Sequence, residues 1–144
     1  MEQYLKDCVD VVAKLFAAAG VFIGGLSYRR QAKTKRAEWL KALFEKFYEK
    51  EEFKDVRRWI ESGEIERKIN IDSTVSKEEE KVADYLNFFE FIATLKTDNQ
   101  LKRRDVLNLF EYYLRKIKAS EGCMDWINNE GYGFEKLRNL LGEI

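Results

Sequence analysis

The chain has 144 residues, enough for one compact domain that buries roughly 68–70% of its unfolded surface but not for two large ones. It contains no proline, no histidine and two cysteines, Cys8 and Cys123, which excludes a disulfide framework and a Cys/His metal centre. The formal net charge is zero, yet residues 1–36 hold seven Lys or Arg against three Asp or Glu, and residues 37–144 hold 19 against 23; this mildly acidic body with interspersed signs argues against a general nucleic-acid binder.

The first element is an uncharged run over residues 15–28, followed at once by Arg29, Arg30, Lys33, Lys35 and Arg36. A helix of that length reaches only ~21 Å, against ~30 Å for the hydrocarbon core of a bilayer. Length alone therefore leaves a membrane anchor, a buried helix of a soluble bundle and a signal-peptide core all open. Extending the run back to Val9 gives 20 residues and the full thickness, and takes in Asp10 and Lys14, which lie four apart near one end and can pair on one helix face. The flanks favour the anchor. A signal peptide carries its basic residues before the run, whereas here the start, "MEQYLKD", is slightly acidic and the basic cluster follows. That is the arrangement of a single-pass helix with its N-terminus outside and its body in the cytoplasm.

Ala13, Ala17, Gly20, Gly24 and Ser27 recur at helical intervals and form one stripe of small side chains with a GxxxG step at its centre. In lipid such stripes let helices approach closely, while Val12, Phe16, Phe22, Ile23 and Leu26 face the acyl chains. The stripe continues to Asp10, Lys6 and Gln3, an alignment of polar with small groups that suits a helix lining an oligomeric channel as well as simple dimerisation. Homo-oligomerisation through these positions is expected. The basic residues that follow suit anionic lipid headgroups or RNA phosphates. Because the aromatics lie in the apolar stripe instead of between the charges, membrane lipid is the expected partner.

Helical spacing continues to about Ser62, softened near Glu51 and Glu52. Trp39, Leu40, Leu43, Phe44, Phe47 and Tyr48 follow three-or-four spacing, and Phe53, Val56, Trp59 and Ile60 resume it; these are one-faced amphipathic helices that Gly63 ends. Residues 64–75 read as a connecting loop with a short helical piece. Ser76 and Glu79 form a capping-box pair that opens a helix over residues 77–97, closed by Asp98 and Asn99. A further helix spans about 102–119 and buries Val106, Leu107, Phe110, Tyr113, Leu114 and Ile117. A short piece at 124–127 and a last helix at 134–141 complete an all-α chain: a long N-terminal transmembrane helix with its basic juxtamembrane segment, residues 1–36, continuing into a cytoplasmic helical bundle, residues 37–144.

No catalytic constellation is legible. There is no histidine, Gly-rich phosphate loop, nucleophile elbow or Cys/His pair, so neither an enzyme nor a cofactor nor a metal is expected. The sharpest irregularity is "ADYLNFFEFIATL", where Asn87 and Glu90 interrupt an aromatic run. They share a helix face with Ala83 and Thr94, opposite Val82, Leu86, Phe89 and Ala93. That face is either an exposed polar strip or a subunit or partner contact made through Asn87 and Glu90.

With the anchor, the basic segment, "LFEKFYEKEEFKDVRRWIE" and "ADYLNFFEFIATL" in place, the layout resembles a family of small bacterial proteins of the phage abortive infection type. These have one N-terminal membrane helix and a helical cytoplasmic body. It is also similar to the membrane accessory proteins of type VI-B CRISPR systems, which assemble ring-shaped pores and depolarise the inner membrane. The resemblance implies residence in the bacterial inner membrane, a defence-system protein as partner, and permeabilisation through an oligomer lined by residues 13–27. An RNase activity linked to an Arg and His motif in that family does not carry over, since this chain has no histidine. The alternative expectation is a non-conducting membrane-anchored module that binds a protein partner.

Overall fold

The computed structural model describes residues 27, 28, 30, 31, 33–69 and 76–144. Among them the regular elements are all helices, so the chain is all-α. It divides into two units, Met1–Trp39 and Leu40–Ile144. In the first, the described residues are helical and, Arg36 apart, exposed. No helix among the described residues is long and apolar enough to cross a membrane; the expected span, Ser27 and Tyr28 apart, lies outside the described residues.

The second unit takes in the latter part of helix α1 (residues 33–49). It continues through α2 (Glu51–Ser62), α3 (Ile65–Ile69), α4 (Lys77–Thr97), α5 (Arg103–Ala119), α6 (Glu121–Asn128), a 3-10 turn (Glu130–Tyr132) and α7 (Glu135–Gly142). The helix ends are where local chemistry puts them. Lys50 leaves the helical region between α1 and α2, at the softened point of the pattern. Gly63 adopts φ 75°, and its N–H and that of Glu64 close α2 on Trp59 O, the left-handed cap for which glycine is favoured. Ser76 and Glu79 form the expected capping box. Asn99, at φ 57°, turns the chain after α4 in the left-handed region that asparagine tolerates.

Helix α4 is the centre of the bundle and packs against α2, α3, α5 and α7. Val82, Tyr85, Leu86, Phe88, Phe89, Ile92, Ala93 and Leu95 are all buried, a face about twice as wide as the stripe through Val82, Leu86, Phe89 and Ala93. The width follows from the several helices that cover it. From α1, Phe47 is fully buried, with its ring centroid 4.9–6.2 Å from those of Phe53, Tyr85, Phe88, Phe89, Phe110 and Tyr113. Aromatic pairs of this geometry contribute roughly 0.5–1.5 kcal/mol each beyond their buried area. The α1 face is wider than the strip that packs: Leu43 is buried, but Phe44 and Tyr48 stay 41% and 36% exposed. On α5, Leu107 and Tyr113 likewise reach only partial burial, whereas Val106, Phe110, Leu114 and Ile117 are fully enclosed.

Three polar groups in or against this core are held without charge. The Tyr85 hydroxyl is buried and has no hydrogen-bond partner among the described residues; burial holds its pKa well above the phenol range. Burial, with a hydrogen bond to Tyr48, pushes the Tyr113 phenol up to about 12. Burial also pushes the Cys123 thiol up to about 11. An unsatisfied buried hydroxyl costs roughly 1–3 kcal/mol. Tyr85→Phe is therefore expected to be at least as stable as the parent in urea unfolding at neutral pH, and a clear loss of stability would mean the hydroxyl has a partner. A raised pKa favours the fold below the ordinary range of the group and ceases to do so as pH rises through the folded value. Unfolding free energy is thus expected to be level near neutrality and to decline above about pH 9. Cys123→Ala should make that decline shallower up to pH about 11, which urea titrations in a pH series will read.

Candidate partner-docking face

Glu80, the adjacent Ala83 and Asp84, Asn87 and Phe91 follow one another three or four residues apart along α4, away from its buried half. They form an outward edge on which three hollows meet. The first, of about 450 Å³, lies among Glu52, Lys77, Glu80, Lys81, Ala83 and Asp84. The second, of about 250 Å³, is lined by Lys46, Lys50, Phe53, Asp84, Asn87, Phe88 and Phe91. The third, of about 350 Å³, is lined by Glu79, Glu80, Ala83, Asn87, Trp126, Tyr132 and Phe134. Asn87 borders the last two, and Phe91, large and apolar, is 53% exposed at one end of the edge.

Ion pairs hold the walls of the first two hollows. Lys50 Nζ lies 2.8 Å from Asp84 Oδ2 and ties the chain between α1 and α2 to α4. Lys81 Nζ lies 2.6 Å from Asp55 Oδ2, and Arg58 lies 2.9 Å from the other oxygen of the same carboxylate. The hydrogen bond from Lys81 holds Asp55 below the usual carboxylate range, and the same bond raises Lys81. Both groups are solvated, so the pair fixes geometry more than it stabilises.

The third hollow is walled by turn chemistry. After α6 ends, Asn129 Oδ1 accepts from Gly131 N at 3.0 Å, an Asx turn that opens the 3-10 turn. Gly133, at φ 75°, then reverses the chain, and Phe134 folds back into the core at 4% exposure. The Trp126 and Tyr132 rings lie nearly parallel, 27° apart with centroids at 5.5 Å. Phe134 occupies the N-cap position of α7 but has no side-chain acceptor. Glu90 takes its place from α4: its carboxylate accepts from Lys136 N at 3.1 Å and Leu137 N at 2.6 Å, meeting the orphan donors and the positive end of the α7 dipole.

Glu90 and Asn87 therefore have different situations. Glu90 is partly buried and its carboxylate is engaged within the chain, whereas Asn87 is exposed on the edge. Ser27, Arg30, Lys33 and Lys35 are exposed and Arg36 is partly buried; Asp10, Ala13, Ala17, Gly20, Gly24 and Arg29 lie outside the described residues. Helical spacing does not single out Trp126, Tyr132, Phe134 or Phe91 as site residues. Their available signal was composition: aromatic residues in the turn-rich stretch "WINNEGYGF", and one phenylalanine off the apolar stripe of α4. Among the described residues no group of His, Cys, Asp or Glu is placed to hold a metal ion. Comparison with known protein families, with characterised proteins and with solved structures finds no match.

The two singled-out residues separate experimentally. Losing both charged acceptor bonds at a helix N-terminus costs roughly 1–2 kcal/mol, so Glu90→Ala is expected to lower unfolding free energy by about that much. Asn87→Ala, exposed in mid-helix, should stay within about 0.5 kcal/mol of the parent. Equal effects in urea unfolding would contradict the assignment of Glu90 as the α7 cap.

Proposed function

We propose that this chain is a membrane-anchored, oligomeric docking protein: residues 1–36 hold it at the bacterial inner membrane, and the bundle presents the outward edge of α4 to a protein partner. The observation that carries the reading is the convergence of three hollows on one exposed helix edge that ends in the half-exposed Phe91. Apolar and aromatic anchors beside polar hollows are the usual composition of interface centres. The anchor is supported by the apolar run and the basic residues after it, and phage defence by the resemblance in layout.

A second reading is favoured by one feature of the sequence, the small-residue stripe Ala13, Ala17, Gly20, Gly24 and Ser27 continuing to Asp10. In it the associated anchors conduct ions and dissipate the membrane potential, and the docking face receives the signal that opens them.

Both depend on the anchor and differ in what it does. The full chain is expected in the detergent-extracted membrane fraction, and recovery in the supernatant without detergent would remove the anchor from the proposal. Phe91→Asp, at an exposed position, should leave the melting temperature unchanged and abolish protection of cells against phage. Liposomes carrying the purified protein separate the two readings: ion current supports the conducting oligomer, and its absence leaves the docking protein.

A further inference from the structure

We infer that the hollow walled by Trp126, Tyr132 and Phe134 is a recognition pocket for an arginine side chain of the protein partner, an inference that rests on the reading of the α4 edge as a docking face. Its lining pairs aromatic carbon with two carboxylates, Glu79 and Glu80, and one amide, Asn87, and includes no basic side chain. That combination selects an organic cation. Carboxylates supply the counter-charge, and ring faces attract a cation through their quadrupole.

Arginine fits better than a compact ammonium. A guanidinium is planar, stacks on aromatic faces and bonds a carboxylate through two parallel N–H groups, and the Trp126 and Tyr132 rings, stacked on each other, bring aromatic surface to the same hollow as Glu80. One oxygen of Glu79 is taken by Ser76 N at 3.0 Å, whereas Glu80 stands exposed; Glu80 is therefore the bidentate acceptor. The volume, about 350 Å³, is at the small end for ligand sites and accommodates a side chain. Through Asn87 the pocket adjoins the second hollow, where Lys46 and Lys50 outnumber Asp84. A chain laid along the edge thus meets acidic and then basic surroundings, which fixes its direction as well as its anchor.

The test uses the full-length, ¹⁵N-labelled protein in detergent micelles, with the Trp126 indole N–H signal assigned by Trp126→Phe. N-acetyl-arginine methylamide is titrated against its citrulline counterpart, which keeps the shape and lacks the charge. The arginine compound is expected to shift the Trp126 signal saturably and leave that of Trp59 in place; the citrulline compound, and arginine on Glu80→Gln, should bind at least tenfold more weakly. No saturable shift, equal binding of citrulline, unchanged binding to Glu80→Gln, or choline binding as tightly as the arginine compound would each overturn the inference. Because the titration needs no partner, its failure is distinct from a failure of the Phe91→Asp test in cells.

Discussion

The Phe47 ring and the Arg57 guanidinium decide where α1 ends and how the bundle closes over it. Arg57 is 8% exposed, a costly place for a charge unless its donors are met. It donates to Phe47 O and, at 3.4 Å, to Tyr48 O. These are last-turn carbonyls that α1 cannot satisfy itself, and they carry the negative end of its dipole. The same guanidinium lies 4.7 Å from the Phe47 ring centroid and 5.0 Å from that of Tyr48. One cation from α2 thus caps a helix and covers the ring on which Tyr85, Phe88, Phe89 and Phe110 converge.

Charges borrowed from one helix to finish another recur through the second unit. Glu66 on α3 accepts from Ser120 Oγ at 2.7 Å and from Gly122 N at 2.8 Å, while Ser120 Oγ accepts from Cys123 N. The approach is close enough that a Cβ on Gly122 would sit 2.6 Å from a Glu66 oxygen and 3.1 Å from Ile69 Cδ1, so any larger residue there would have to push the Glu66 carboxylate off its bonds. Lys118 closes the other end of α7 at Leu141 O, 3.0 Å away, and Arg103 reaches Glu143 O at 2.8 Å. With no proline in the chain, several helix ends depend on these distant side chains, and each cap also fixes the packing of two elements.

That economy explains what could be read from the sequence and what could not. Gly63, the Ser76 and Glu79 box and the Asn99 turn act within a few residues, so spacing and residue type were enough to find them. Arg57, Glu66 and Glu90 act on backbone 10, 56 and 47 residues away, and in one dimension a capping carboxylate looks like any solvated one. Glu90 shows the difficulty well: both readings of its helix face look outward, whereas its carboxylate turns to α7. The aromatic wall was hidden for another reason. Trp126 lies in a short helix, and Tyr132 and Phe134 sit around glycines, where neither a period of 3.6 nor of 2 gives a signal.

The outward edge of α4 and the hollows beside it inherit their geometry from these caps. Helix α7 has eight residues, too few to persist in water by itself; its buried Leu137, Leu140 and Leu141 hold it on the core, and the groups at its two ends set its register. Glu90 holds its start from α4, the helix that also carries Asn87 and Glu80, and Lys118 holds its finish from α5. Phe134, at the N-cap of α7, is thereby placed in register with the α4 edge by a carboxylate three residues from Asn87. Weakening that cap would loosen the wall of the third hollow before it disturbed the aromatic core around Phe47, because the two carboxylate bonds of Glu90 are both to backbone donors of α7. A surface assembled in this way can be rigid without a core of its own, since the rigidity comes from the central helix on which it is built.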